Sequence, residues 1–501
     1  MLDSVKAGGH VDDRTPVLVG AGQCTSRGAL REPIGLLEEA ARTSLADAGG
    51  DLLPVLDAIW VPGILSHPAP APATALGRRL GSAARDRRTS TIGGNTPQAL
   101  VAQACDAIVS GELRAVLIAG AEAGWSARQA GSASARDASY PPDPVVGDAR
   151  NGVGPAEIAA SLFLPNRMYP LFESVLAHAA GRDAEEQRNW IGRILSTMGA
   201  RAALHPDLAW FPTPRTAQEI ATPSDANRLT AEPYTKLMNS IIAVDQGAAL
   251  LLTSVGEARR RDLPDDRWIF PWSAATCYDV FLPCERPELG RSPGYSAAAS
   301  AALTGAGVGV DDIDAFDLYS CFPSSVQLAA QELGLSPFDE RGMTVTGGMP
   351  QFGGPGNNYT THAIACMREE LLVGAPKLGL VSGLGWYMTK HSVGVYGTSP
   401  PPRGWTHPSC AGEQHAIDGT ALIVRDAADG IAEVEAYTVV YDRDGNAVEA
   451  PLFARLPDGT RAVAAAADST IAAEVAGHCL IGRTIRCRPG PAGTVWDALL
   501  S

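Results

Sequence analysis

Positive charge is scarce in this sequence. Lys and Arg number 40 against 55 Asp and Glu, a formal net charge of −15 over 501 residues. No basic stripe exists to release counterions from a phosphate backbone, which argues against a nucleic-acid partner. An acidic average still permits a local basic patch for a phosphorylated cofactor. Paired cysteines are lacking too: nine are scattered without CxxC or zinc-like spacing, so neither a metal site nor a disulfide framework is signalled. No apolar run approaches the length of a membrane span, and the N-terminal MLDSVKAGGHVDDRTP has no apolar core of signal-peptide type. These absences predict a cytoplasmic protein without a membrane span. What remains, 45% hydrophobic and 19% charged residues, is an ordinary globular composition. The length calls for two or three domains.

The most informative stretch runs from Thr344 to Gly397, TVTGGMPQFGGPGNNYTTHAIACMREELLVGAPKLGLVSGLGWYMTKHSVGVYG. It reads as a Gly-rich loop, a helix from about Asn357 to Leu372, a buried strand, and a second Gly-rich loop carrying Trp386, Tyr387, Lys390 and His391. Glycines let a backbone come close to a ligand, and a helix starting straight after them presents unpaired N–H groups. Each Gly-Gly pair taken alone also has the reading of a tight turn. An earlier segment, Thr91 to Glu122, repeats the order: Gly93-Gly94-Asn95, a helix, a break at Gly111, then the buried strand VLIAGAE. A second pair, EEAARTSLADAG with LDAIWV and SAAASAALTGAG with DDIDAFDLY, follows the same logic. Two related pairs in one order predict an internal duplication of a βαβ-rich unit.

Along the chain, residues 1–14 read as a flexible lead-in, Pro16 to Gly22 as a buried strand and Pro33 to Ala48 as a helix. Residues 124–235 have a different texture, with loops expected at 126–155 and 205–226 and helix around Glu185 to Ala203, as in an insertion folded over the first half. Ile241 to Ser254 returns to a strand pattern. After Pro400–Pro402, period-two runs are separated by the Asp-Gly turns DRDGN and LPDGT, which predicts a small antiparallel barrel of five or six strands. The expected units are 1–255 with the inserted segment, 256–405, and a C-terminal barrel over 406–501.

Several motifs in order resemble the thiolase superfamily between about Pro16 and Thr398. DLYSCF (Asp317 to Phe322) stands where sterol-carrier-type thiolases carry a His-Asp-Cys-Phe tetrad. VDQGAALLL (Val244 to Leu252) is similar to their Asp-Gly-Ala-Ala strand, and TGGMPQFGGPGNNYTTHA (Thr346 to Ala363) to their Gly-His-Pro segment. With the C-terminal barrel, the chain resembles thiolase-like proteins of type 1, relatives of the acetyl-CoA acetyltransferases. The resemblance implies an α/β fold of two duplicated βαβαβαββ halves in five layers, with an OB-like β-barrel appended. It also implies coenzyme A or an acyl-CoA as substrate or ligand, no covalently bound cofactor, and a homodimer or a protein partner at the barrel.

By the same resemblance, the nucleophilic cysteine falls on Gly94, the histidine of Gly-His-Pro on Gly354, and the second cysteine on Val381 or Ser382. A covalent acyl-enzyme is excluded at Gly94, so ordinary thiolysis is not expected. Tyr319, Cys321, Tyr359 and His391 are the candidate proton carriers or nucleophile, and Gly94, Asn95, Gly354, Asn357, His362 and Gly383 the candidate binding residues. A tyrosine or histidine can move a proton to or from an enolate or alkoxide, as a retro-aldol or Claisen-like cleavage requires. Cys321 equally has the reading of a buried structural thiol, Tyr359 or His362 that of core packing, and Asn95 and Asn357 that of helix caps. Three functions stay open: an acyl-CoA carbon–carbon bond enzyme, a non-catalytic acyl-CoA-binding protein, and an assembly subunit using its barrel.

Overall fold

The computed structural model describes residues 11–130 and 140–500. Most of the lead-in, 1–10, and the 131–139 part of the loop expected at 126–155 lie outside the described residues.

The strands in chain order are β1 (Pro16–Thr25), β2 (Leu56–Val61), β3 (Asp86–Ser90), β4 (Ala115–Ala123) and β5 (Val145–Val146), then β6 (Leu229–Ala231) and β7 (Tyr234–Thr235) in the inserted segment, and β8 (Asp245–Ser254). The first sheet has the order β1-β8-β4-β2-β3-β5. Strands β9 (Phe270–Tyr278), β10 (Ala315–Asp317), β11 (Leu378–Gly385) and β12 (Lys390–Gly397) form the second, in the order β10-β11-β12-β9. The pairing senses match between them. β2–β4 and β10–β11 are parallel; β4–β8 and β11–β12 are antiparallel, as are β8–β1 and β12–β9. The predicted duplication is therefore present over four strands of each sheet, while among the described residues β3 and β5 of the first sheet have no counterpart in the second.

Continuous apolar runs such as AVLIAGAEA in β4, buried at every residue, require cover on both faces of the sheet. Helix Pro33–Asp47 covers the outer face of the first sheet and helix Pro293–Ala306 that of the second. Helices Thr96–Ser110 and Tyr359–Val373 lie between the sheets, touch strands of both, and form the central layer. The first central helix opens with Pro97 in its first turn and stops at Gly111, whose φ of +80° gives a left-handed cap.

Three local expectations are corrected. His391 is not in a loop: the β11–β12 connection is completed within Trp386–Thr389, with Trp386 and Met388 each at φ +56°, so β12 starts at Lys390. The strand expected from Ile241 begins at Asp245, and Ile242 is 74% exposed, because 239–244 leaves the sheet. The 205–226 loop contains a short helix, Ala217–Ala221, capped by Thr216 Oγ1 accepting from the Glu219 N–H.

The last third contributes β13 (Val424–Arg425), β14 (Gly430–Tyr437), β15 (Val440–Tyr441), β16 (Ala447–Glu449), β17 (Leu452–Arg455), β18 (Arg461–Ala466), β19 (Thr484–Pro489) and β20 (Thr494–Leu499). The β18–β20 pairing closes β14, β17, β18, β20 and β19 into a five-stranded barrel around the fully buried Trp496. LPDGT joins β17 to β18, as a hairpin turn should. The DRDGN hairpin, β15–β16, leaves the barrel instead and pairs with β6 of the inserted segment through Val440 and Ala231. Arg461, 1% exposed, fixes the barrel to the second half by donating to the Cys284 and Arg286 carbonyls while pairing with Glu435 at 2.7 Å. Among the described residues no helix is long and apolar enough to cross a membrane.

Candidate functional site

The duplication brings the starts of the two central helices together, and Asn357 ties them. Its Oδ1 accepts from the Gly93 N–H at 2.8 Å and its Nδ2 donates to the Gly63 carbonyl at 2.6 Å. Thr360 Oγ1 adds a donation to the Gly94 carbonyl at 2.5 Å. Neither Asn95 nor Asn357 supplies a side-chain cap, contrary to the capping expectation: Asn95 Nδ2 donates across to Ser392 Oγ at 3.3 Å, and the second helix takes Asn358 at its cap position with no side-chain bond. Both asparagines are spent on joining the halves.

Beside these helix starts lies a cavity of about 570 Å³. Gly93, Gly94, Gly354, Gly356 and Asn357 form one wall, and Tyr319, Cys321 and Phe322 another. The inserted segment supplies Leu164 to Asn166 and Tyr169, the stretch between it and β8 supplies Asn239 to Ile242, and the β11–β12 turn supplies Trp386 and Tyr387. Tyr169 stacks on Phe322 with ring centroids 4.4 Å apart and donates to the Trp386 carbonyl at 2.8 Å. The lining is mostly apolar, with the exposed Lys236 as its cation.

Tyr319 occupies the centre. It follows β10, its N–H donates to Ser382 Oγ at 3.1 Å, and its ring packs edge-on against Tyr359 at 5.5 Å. A Cβ built on Gly94 would overlap the Tyr319 hydroxyl and stand 2.7 Å from the Leu384 carbonyl. No side chain at 94 can coexist with this phenol. Burial pushes the Tyr319 phenol well above the usual tyrosine range, with Cys321 adding to the rise. The Cys321 thiol is raised to about 11, again by burial first, with hydrogen bonds from neighbours offsetting part of it. At neutral pH both groups keep their protons, which makes Tyr319 a donor and Cys321 a poor nucleophile.

Of the sequence candidates, Tyr319, Cys321, Gly94, Gly354 and Asn357 line the cavity. Tyr359, His362, His391, Asn95 and Gly383 do not. Tyr359 is fully buried between the sheets, with its hydroxyl on Thr346 Oγ1 at 2.5 Å and Asp317 Oδ1 at 3.4 Å. Asp317 Oδ2 in turn accepts from Thr344 Oγ1 at 2.8 Å and from the Val345 and Thr346 N–H groups. His362 shares the Tyr359 face one turn on and meets Gln23 Oε1 through Nδ1 at 2.7 Å. Burial lowers it to about 3, so it is neutral. His391 lies under helix Pro293–Ala306, with Nε2 2.9 Å from Asp279 Oδ2 and 3.2 Å from Ser292 Oγ. Burial raises Asp279, but the His391 hydrogen bond and charge outweigh it and the carboxyl ends below its usual range. Gly383 serves a close approach: a Cβ there would meet the Asn95 Cα at 2.8 Å. Lys390, also flagged, is buried and donates to the Ile92 and Asp148 carbonyls at 3.2 and 2.6 Å, holding the residue before Gly93.

Sequence reasoning missed Tyr169, Lys236 and Ser240. Tyr169 comes from the inserted segment, whose residues follow no motif of the two halves, and Lys236 and Ser240 come just after it, where the strand read from Ile241 drew attention away from the residues before it.

Comparison with known proteins places this geometry. A family model described as the thiolase-like protein type 1 additional C-terminal domain matches residues 414–490. The crystal structure of a monomeric SCP2-thiolase like protein type 1 (STLP1) from Mycobacterium smegmatis superposes with a TM-score of 0.83 and 31% identity, over 97% of this chain and 99% of that one. The Ltp2–ChsH2(DUF35) aldolase (TM-score 0.58, 20% identity, 77% of this chain and 98% of that one) and acetyl-CoA acetyltransferase from Syntrophomonas wolfei (0.57, 15%, 77% and 99%) share the fold. No curated protein matches the chain. The match over nearly the full length of both chains, barrel included, decides the family: the chain belongs to the SCP2-thiolase-like proteins of type 1.

Proposed function

We propose that the cavity binds a coenzyme A thioester and polarises it without covalent catalysis, Tyr319 donating its phenolic hydrogen to the oxygen on which charge develops. The observation that carries this reading is the overlap of the Tyr319 hydroxyl with the side-chain position of Gly94. A phenol there exchanges a nucleophile for a hydrogen-bond donor, and a donor aimed at an enolate or alkoxide oxygen is what a retro-aldol or Claisen-like cleavage needs. Supporting features are the apolar walls for an acyl chain, the exposed Lys236 as a partner for a phosphate, and two helix starts whose dipoles favour negative charge. The motif resemblance puts the cysteine and histidine expected of a working thiolase on Gly94 and Gly354, so thiolysis is not the activity proposed.

A second reading has its own observation. Among the described residues no carboxylate or imidazole lines the cavity, and Tyr319 and Cys321 are both protonated at neutral pH. A site without a base can bind a thioester and leave it intact. The C-terminal barrel is the proposed place for a protein partner.

Isothermal titration with CoA and acetyl-CoA, with carbonyl product from a 3-hydroxyacyl-CoA followed in parallel, separates these readings. Binding with turnover that Tyr319→Phe reduces by about 10²-fold or more supports the catalytic reading. Binding without carbon–carbon cleavage favours the binding protein. No binding to either ligand removes the CoA assignment.

A further inference from the structure

The two Gly-Gly pairs are built alike. In each, the first glycine is demanded by backbone conformation, with φ +155° at Gly93 and +114° at Gly353. The second is not: neither Gly94 nor Gly354 has positive φ, so a side chain there meets no conformational barrier. At the second position a Cβ would meet a hydroxyl from elsewhere in the chain, at Gly94 together with the Leu384 carbonyl at 2.7 Å and at Gly354 alone. A Cβ on Gly94 would overlap the Tyr319 hydroxyl; a Cβ on Gly354 would overlap Ser240 Oγ. The Ser240 approach is fixed by main chain, because the Gly354 N–H donates to the Ile241 carbonyl at 2.9 Å. Ser240, Gly354 and Tyr319 line the same cavity.

We propose that Ser240 is the second hydrogen-bonding hydroxyl of this cavity, filling at position 354 the place that Tyr319 fills at 94, and that it positions the thioester group of the ligand. The inference rests on the reading of the cavity as a CoA thioester site. It makes Ser240 a positioning residue supplied by the irregular stretch that joins the inserted segment to β8. A serine hydroxyl both donates and accepts, so it serves a carbonyl oxygen directly while Tyr319 donates from the other helix start.

The test compares acetyl-CoA with free CoA, which lacks the thioester carbonyl, by isothermal titration of the full chain and of Ser240→Ala, with melting temperatures alongside. Ser240→Ala is expected to weaken acetyl-CoA binding by about 5- to 10-fold, the scale of one hydrogen bond, while leaving CoA affinity and melting temperature unchanged. Equal weakening of both ligands, or no change in either while the wild type binds acetyl-CoA, overturns the assignment of Ser240 alone. Failure of the wild type to bind acetyl-CoA overturns the thioester reading and the assignment together. A second variant tests the placement: Gly354→Ala puts a methyl where Ser240 Oγ stands and turns that hydroxyl away, so it is expected to weaken acetyl-CoA binding by about the same factor as Ser240→Ala with little change in melting temperature. Unchanged acetyl-CoA affinity in Gly354→Ala overturns the assignment.

Discussion

Tyr319 and the side-chain position of residue 94 compete for one volume, and that competition can be measured. Gly94→Ala is expected to destabilise the protein by about 1–3 kcal/mol, the usual scale for overpacking a filled core. Tyr319→Ala removes the phenol but not the Leu384 carbonyl 2.7 Å from the same position, so urea denaturation of the double variant should show a cost below the sum of the two singles, with part of the Gly94→Ala cost remaining. His362 gives a second residue-scale expectation. Its folded pKa, about 3, lies below the ordinary 6.5, so the unfolded chain binds the proton first, and stability falls as pH drops from 6.5 towards 3. The slope from this group approaches about 1.4 kcal/mol per pH unit. Denaturant titrations of wild type and His362→Gln at pH 7 and pH 5 should differ by that loss, whereas equal pH dependence would show that His362 is not buried neutral. Tyr319 and Cys321 were legible in the sequence because a four-residue motif marks them. Ser240 was not, since its role comes from a contact with Gly354 more than a hundred positions away.

At the scale of elements, the helix starts did what glycine punctuation forecast: both central helices open at the cavity. The placement of His391 failed for a physical reason. KHSVGVYG is buried at all eight positions, so it shows no alternation of polar and apolar residues, and its polar start resembled a loop. Inside the strand His391 holds Asp279, which caps the start of helix Pro293–Ala306 by accepting from the Gly294 N–H at 2.8 Å. His391→Leu would remove one partner from a buried carboxylate that keeps the Ser292 hydroxyl at 2.6 Å and the Gly294 N–H, a loss of about 1–3 kcal/mol. Thermal melts should show the loss, while acetyl-CoA affinity per folded molecule stays near wild type. A His391 variant that keeps its stability but loses ligand binding would put this residue back among the site groups.

For the whole molecule, the duplication was legible because two halves sharing one strand order also share one pattern of helix, glycine and buried strand. The mutual grip of barrel and inserted segment was not, because β15 and β6 are too short to carry a signal and lie in different parts of the chain. That grip reaches the cavity. Helix Pro165–Ala179 lines it through Tyr169 and also receives the barrel, whose Tyr437 N–H donates to Ser174 Oγ at 3.2 Å, with Arg167 paired to Glu449 at 2.6 Å. Removing residues after 405 is therefore expected to lower both the melting temperature and acetyl-CoA affinity. Unchanged affinity in a folded truncated chain would make the barrel an independent appendage. The most direct measurement on the site as a whole is a titration with acetyl-CoA followed by the intact mass of the same protein. Saturable binding with an unmodified mass is expected of a thioester site whose nucleophile position is filled by a phenol; no binding, or a stoichiometric acetyl adduct, would contradict it.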